Sequence, residues 1–145
     1  MKLSTRSRYG TRLLLDMAQH YNQGPIRLGV IARRQNIPVK YLEQIIIPLK
    51  RAALVKSVRG ARGGHMLARA PSEITVAEIV VLLEGGISLT ECIQNPRVCE
   101  RSAACVTRLL WKEVSEAIHD RLHRVTLHDL AARAVSDHGW ITGNP

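Results

Sequence analysis

Phenylalanine is absent from the sequence, and aromatic side chains make up only 3% of its 145 residues. Any core must therefore be built from Leu, Ile, Val and Ala, which a hydrophobic content of 46% allows. No apolar run approaches the roughly 18 residues that a membrane span needs; the notable ones are residues 45–47 and 79–83. The basic N-terminus has no apolar segment behind it, so a signal peptide is not expected and a cytoplasmic protein is. Cysteine is scarce too, with three in all, and an odd number in a cytosolic chain argues against a disulfide framework. There is no Gly-rich phosphate loop before a helix, no nucleophile elbow and no pair of carboxylates with a matched base, so no enzyme is expected.

The most telling scarcity is that of acid in the first half. Residues 1–66 carry 13 Lys or Arg against only Asp16 and Glu43, whereas residues 67–145 carry 8 against 10 acids. The net charge of +9 is thus concentrated on one half. Such a half attracts phosphate backbones through counterion release. A membrane surface suits it less, because the basic residues are scattered over several short elements and line no single amphipathic helix.

Hydrophobic spacing supplies the elements. Tyr9, Leu13, Met17 and Tyr21 recur every four residues, which predicts a helix over 4–21 capped by Ser4 or Thr5. Gly24-Pro25 breaks the chain, and 28–35 reads as a second helix burying Leu28, Ile31 and Ala32. Pro38 suits the first turn of a third helix, where its missing N–H is not needed. That helix turns Val39, Leu42, Ile45 and Ile46 inward and Lys40, Tyr41, Glu43 and Gln44 elsewhere. Pro48 is expected to kink or interrupt it before residues 49–53. Two short helices joined by a tight turn form a helix-turn-helix. Residues 54–58 and 65–67 then read as two strands around Arg59-Gly60-Ala61-Arg62-Gly63-Gly64, where glycines permit positive φ and two arginines arm the tip. An ordinary glycine-rich turn with incidental charge would look similar, but helix order, charge asymmetry and loop chemistry agree on a winged helix.

Residues 74–84 predict another helix, with Thr75 and Glu78 in capping-box register and Gly85-Gly86 at its end. Residues 87–106 lack helical periodicity. A long helix follows over 107–125, striped by Leu110, Val114, Ala117, Arg121 and Val125 and widened by Ile118 and Leu122. A stripe of this kind usually pairs with its copy, so Leu110, Val114 and Ile118 are the expected homodimer contacts. Thr126 and Asp129 start a last short helix, and a tail is expected from Gly139. The expected fold is mainly α with a small β-hairpin wing. Residues 1–84 would form the DNA-binding winged helix-turn-helix, 85–106 a cysteine loop, 107–125 the dimerisation helix, and 126–145 a short helix and tail.

Cys92, Cys99 and Cys105 lie six and then five residues apart. Zinc sites usually show close cysteine pairs and four ligands. Three soft thiolates on one loop can instead wrap an iron–sulfur cluster whose remaining iron takes a ligand from elsewhere. Three unrelated buried cysteines are the plainer alternative. His119 and His123, four apart on the long helix, can be a metal pair or a solvated face; His65, at the wing base, reads as structural.

The chain resembles the Rrf-two family of winged-helix regulators. The likeness rests on Met1-Lys2-Leu3-Ser4-Thr5 through Arg8-Tyr9-Gly10, on Tyr41-Leu42-Glu43-Gln44, and on Gly60 with Gly63-Gly64 behind Val58-Arg59. It continues through Leu82-Leu83-Glu84-Gly85 and ends in a cysteine loop followed by Leu110-Trp111. The resemblance implies a homodimer on a pseudo-palindromic double-stranded DNA operator, with the third helix in the major groove and the wing in the minor groove. It implies that Tyr41 contacts phosphate, Glu43 and Gln44 face base edges, and Arg59 enters the minor groove. Lys40, Lys56, Gly60 and Arg62 complete the expected DNA surface. Cluster-binding members hold a [2Fe–2S] or [4Fe–4S] cluster on a similar loop; a branch without that loop works through a protein partner.

This sequence departs from the family pattern at the fourth ligand. Some members place a histidine three residues after the last cysteine, where this chain has Arg108. Others use an acidic residue early in the partner's first helix, where this chain has Arg6, Arg8 and Arg12. Glu91, Glu100, a histidine of the long helix, water or a small thiol are the remaining candidates. The expected function is a transcription regulator, repressor or activator, whose operator binding is set by a cluster on Cys92, Cys99 and Cys105. A metal-free regulator sensing thiol oxidation or a protein partner, and a basic RNA-binding protein, are the alternatives.

Overall fold

Helix α1, Thr5–Gln19, starts where Ser4 accepts a hydrogen bond from the Ser7 amide at 3.1 Å. The structure, a computed structural model, describes residues 1–136; the tail expected from Gly139 lies outside them. Helix α1 buries Leu13, Leu14 and Met17, and also Asp16. That carboxylate is satisfied by α2, Leu28–Gln35: Arg34 donates through Nε at 3.1 Å and Nη2 at 2.5 Å, and Gln35 Nε2 donates at 3.0 Å. Arg12 returns the bond from α1 to the Gln35 backbone carbonyl. The first two helices are therefore joined by a buried polar clamp as well as by Ile31 and Ala32.

Asn36, left-handed at φ 51°, makes the turn into α3, Val39–Arg51. Leu42, Ile45, Ile46 and Leu49 of α3 are buried in the core. The interruption expected at Pro48 does not occur, because α3 runs through it to Arg51. The proline removes the amide that Gln44's carbonyl would accept, but Gln44 is exposed, so water can serve that oxygen, and the buried stripe continues on both sides of Pro48.

Strands β1, Val55–Val58, and β2, Gly64–Leu67, pair antiparallel, with Val55 opposite Leu67 and Val58 opposite Gly64. The other edge of β2 is bridged by Ile26, which exchanges two backbone bonds with His65 at 2.8 and 2.7 Å. The wing glycines divide their roles. Gly60 takes a positive φ of 112°, whereas a Cβ on Gly64 would lie 2.6 Å from the Ile26 backbone. Gly64 is thus set by close approach and only Gly60 by turn conformation.

A 3-10 turn at Pro71–Glu73 leads to α4, Val76–Glu84. Thr75 caps α4 by accepting from the Glu78 amide at 3.2 Å, and Gly85 ends it at φ 82°. The carboxylate of Glu78 pairs with Arg69. After α5, Glu91–Gln94, and a 3-10 turn at Pro96–Val98, the long helix α6 spans Val106–His123 and packs on α4 and α5. Helix α7, Leu127–Ser136, is capped reciprocally: the Thr126 amide donates to Asp129 at 2.8 Å and the Asp129 amide donates to the Thr126 hydroxyl at 3.2 Å. Backbone bonds from Val76 to Val125 and from Leu127 to Ile74 fold α7 back, so that it packs on α1 and Leu127 is fully buried. Among the described residues the fold is mostly helical with one two-stranded hairpin. Among the described residues no helix is long and apolar enough to cross a membrane.

Candidate nucleic-acid interface and cysteine loop

Because Leu42, Ile45, Ile46 and Leu49 point inward, helical geometry turns Lys40, Glu43, Gln44, Ile47 and Lys50 outward, and all five are exposed. Tyr41 differs. It is half-buried, edge-on to Tyr9 with ring centroids 5.5 Å apart, while Arg12 lies 5.6 Å over the Tyr9 ring. Its position is thereby held by α1. On the wing, Lys56, Arg59, Gly60 and Arg62 are all exposed. Glu43, Ile47 and Lys50 of α3 face Ser57, Gly60 and His65 of the wing across one open groove.

Two features of this groove differ in how far the sequence announces them. Ile47 and Lys50 follow Glu43 by four and seven residues, so their shared face was legible from periodicity. Arg27 was not: its Nη2 donates to the Ala61 carbonyl at 2.5 Å, a contact between segments 34 residues apart that ties the wing loop to the start of α2. At the wing base, Ser57 Oγ lies 3.2 Å from His65 Nδ1, and burial, followed by the charge of Lys50, holds the His65 imidazole below its ordinary pKa.

The cysteine loop hangs from α6 by two bonds. The Leu89 amide donates to Ser115 Oγ at 3.0 Å, and Arg108 Nε donates to the Cys92 carbonyl at 2.9 Å. Arg108, which stands where the resemblance places a histidine in some family members, thus fastens the loop's first cysteine. Cys92 and Cys105 are half-buried, each with Sγ 3.2 Å from a threonine hydroxyl, of Thr90 and Thr107 respectively; Cys99 is exposed. The Thr107 hydroxyl, then the Arg108 amide, lower the Cys105 thiol pKa. All three cysteines are free. As donors they suit a thiophilic metal or cluster, but this conformation does not gather them. Among the described residues no three His, Cys, Asp or Glu side chains converge to hold a metal. The fourth-ligand candidates Glu91 and Glu100 are exposed.

Helix α6 presents only part of the expected stripe outward, since Val125 is buried beyond its end. Leu110 is 49% and Val114 37% exposed, joined by Val106, Leu109 and Trp111, whereas Ile118 is half-buried.

Residues 3–133 match the family profile described as Rrf2, Iron-dependent Transcriptional regulator. The chain belongs to the Rrf2 family. It is 45% identical to the protein rrf2 of Nitratidesulfovibrio vulgaris over 130 residues, which is 90% of this chain and 87% of that one. Among solved structures it is similar to CymR, the global cysteine regulator of B. subtilis, with a TM-score of 0.77 and 38% identity over 92% of this chain and 98% of that one. It is similar also to IscR of T. potens, with a TM-score of 0.77 and 40% identity over 92% and 88% of the two chains. The Rrf2 likeness spans the groove, the wing and the cysteine loop together. The hairpin and helices described above are accordingly those of an Rrf2 winged-helix regulator.

Proposed function

We propose that this DNA-binding transcriptional regulator of the Rrf2 family acts as a homodimer on a pseudo-palindromic operator, under the control of an iron–sulfur cluster. The observation that carries the DNA part is the groove between α3 and the wing, set in the half of the chain where bases outnumber acids 13 to 2. A duplex laid along it receives α3 in the major groove. Gln44 and Glu43 then meet base edges, matching the preference of Gln for adenine and of Glu for the cytosine amino group. Lys40, Tyr41 and Lys56 bind phosphate and fix register without reading sequence. Arg59 and Arg62, on the loop opened by Gly60, enter the minor groove. Leu110 and Val114 meet their copies across the two-fold axis, with Ile118 at the edge of that contact.

In the same reading Cys92, Cys99 and Cys105 are the cluster's protein ligands, and the cluster supplies a centre sensitive to oxygen, iron supply or redox state. The donor set fits by chemistry: three free thiols on one loop with accessible positions. Closing the loop around it requires a rearrangement between the anchors at Ser115 and Arg108. The hydrogen bonds of Thr107 and Arg108 that lower the Cys105 thiol pKa favour its reactive thiolate, and with it a second reading, in which the loop senses thiol oxidation with no metal.

One experiment covers both readings. Protein purified without air is analysed for iron and sulfide, and its affinity for an operator obtained by selection from random duplexes is measured before and after cluster removal. The cluster reading expects stoichiometric iron and sulfide, their loss in each of the variants Cys92→Ala, Cys99→Ala and Cys105→Ala, and a changed operator affinity on removal. Colourless protein whose operator affinity responds to thiol oxidation selects the second reading. A Cys99→Ala protein with full iron and sulfide overturns the ligand set.

A further inference from the structure

Metal-binding side chains also stand side by side outside the cysteine loop. His119 and His123 follow one another by a single turn near the end of α6, and their rings stack in parallel, with centroids 5.9 Å apart and planes 12° from parallel. Both residues are exposed. Asp120 Oδ1 lies 3.6 Å from His119 Nδ1. That is just beyond hydrogen-bond distance; a carboxylate that closes on one ring nitrogen of a ligating histidine fixes the tautomer and leaves Nε2 as the donor atom. Neither histidine belongs to the DNA groove.

The pair also lies away from the proposed dimer contact. At about 100° per residue, His119 is roughly 180° around α6 from Leu110, and His123 some 40° further. The face packed on α4, marked by buried Ser115, lies between that stripe and His119. Dimerisation through Leu110 and Val114 therefore leaves the imidazoles in solvent.

We propose that His119 and His123 form a surface site for a borderline divalent cation of the Cu²⁺, Ni²⁺ and Zn²⁺ class, separate from the cysteine loop. Imidazole suits these ions, and the Irving–Williams order places Cu²⁺ first among them. Two protein ligands leave the remaining positions to water, so the ion is exchangeable, unlike a closed structural site. Asp120 is the positioning residue, acting through His119. A cation that bridges one turn also clamps the last turn of α6, just before the Val125–Val76 bond that brings α7 back to α1.

The test uses the full chain with iron stripped and its thiols alkylated, so that the cysteine loop is silent. Cu²⁺ alone is titrated and followed by calorimetry and by electron paramagnetic resonance. The expected result is equimolar binding with hyperfine splitting from imidazole nitrogen. That binding is lost in both His119→Gln and His123→Gln and kept in His128→Gln, which alters an exposed histidine outside the pair. Asp120→Asn should weaken it by roughly tenfold while keeping the nitrogen signature. Circular dichroism before metal addition should be the same for all variants, since every altered side chain is exposed. Equal Cu²⁺ affinity in wild type and His123→Gln, or a wild type whose signal carries no imidazole nitrogen, overturns the site.

Discussion

The two halves of this regulator spend their apolar side chains differently. From α1 to the wing, Leu, Ile and Val side chains converge on one core, with Leu13, Leu14, Ile31, Leu42, Leu49 and Leu54 fully buried. In α6, of comparable apolar content, only Ser115 is buried, and Leu110 and Val114 stand in solvent. The first half therefore builds its core together with Ile74, Ile79, Leu83 and Leu127 of the second, and presents charge outward. Within the second half, α6 packs on α4 and presents apolar surface outward, which suits a helix completed by another chain. In the proposed function, DNA binding and assembly thus fall to surfaces with opposite chemistry.

Removing side chains from each half is the sharpest way to break this contrast. Leu49→Ala should cost about 2–5 kcal/mol of folding stability, because a fully buried side chain leaves a cavity; urea unfolding measures it. Val114→Asp should leave helix content unchanged and abolish the dimer in sedimentation. A Val114→Asp protein that remains dimeric and binds its operator normally would show that α6 is not the contact.

The buried clamp comes next. Asp16→Ala leaves Arg34 without its carboxylate, and breaking such pairs costs about 3–5 kcal/mol when both partners are buried. Arg34 is partly exposed, so the lower end of that range is expected. Asp16→Asn, which keeps an oxygen for Gln35, should cost less.

On the cationic surface, Arg59→Ala should weaken operator binding by about 1–3 kcal/mol. Lys56→Ala should weaken all duplexes alike and flatten the salt dependence. Arg97→Ala, an equal loss of charge on the cysteine loop, should do neither, and equal effects from Arg59 and Arg97 would reduce the interface to net charge.

The smallest effects lie where α1 meets α4. The Glu84 carboxylate accepts from the Ser4 amide at 2.8 Å and from its hydroxyl at 2.6 Å, and the Ser4 and Ser7 hydroxyls hold its pKa below the ordinary glutamate value. A depressed folded-state pKa adds stability above the unfolded value, and this is lost as pH falls through the folded one. Glu84→Gln should therefore flatten the acid side of the stability profile below about pH 4.5. Ser4→Ala should cost about 1 kcal/mol through the lost cap.

Local features were legible wherever one short segment carried the whole cause. Ser4, Thr75 and the Thr126–Asp129 pair cap their helices, and the alternation around Gly60 closes the hairpin. The continuity of α3 through Pro48 was not legible, because the cost of a proline depends on the surroundings of the turn before it, and Gln44, whose carbonyl loses its donor, is an exposed residue. Asp16 passed as one more acid because its partners Arg34 and Gln35 come from another helix. Of the candidate site, the exposed positions on α3 and the wing were readable by periodicity, whereas Arg27's hold on Ala61 was not.

The sequence by itself determined the helix and strand periods, their caps, the concentration of charge in residues 1–66 and the thiols' confinement to one stretch, because each depends only on neighbours along the chain. Tertiary structure alone decided that Gly64 must be small against Ile26, that Arg108 secures Cys92, that α7 returns to α1, and that the stripe of α6 stays uncovered. Each of these depends on which distant group arrives within a few ångströms, and that is set by the packing of the whole core.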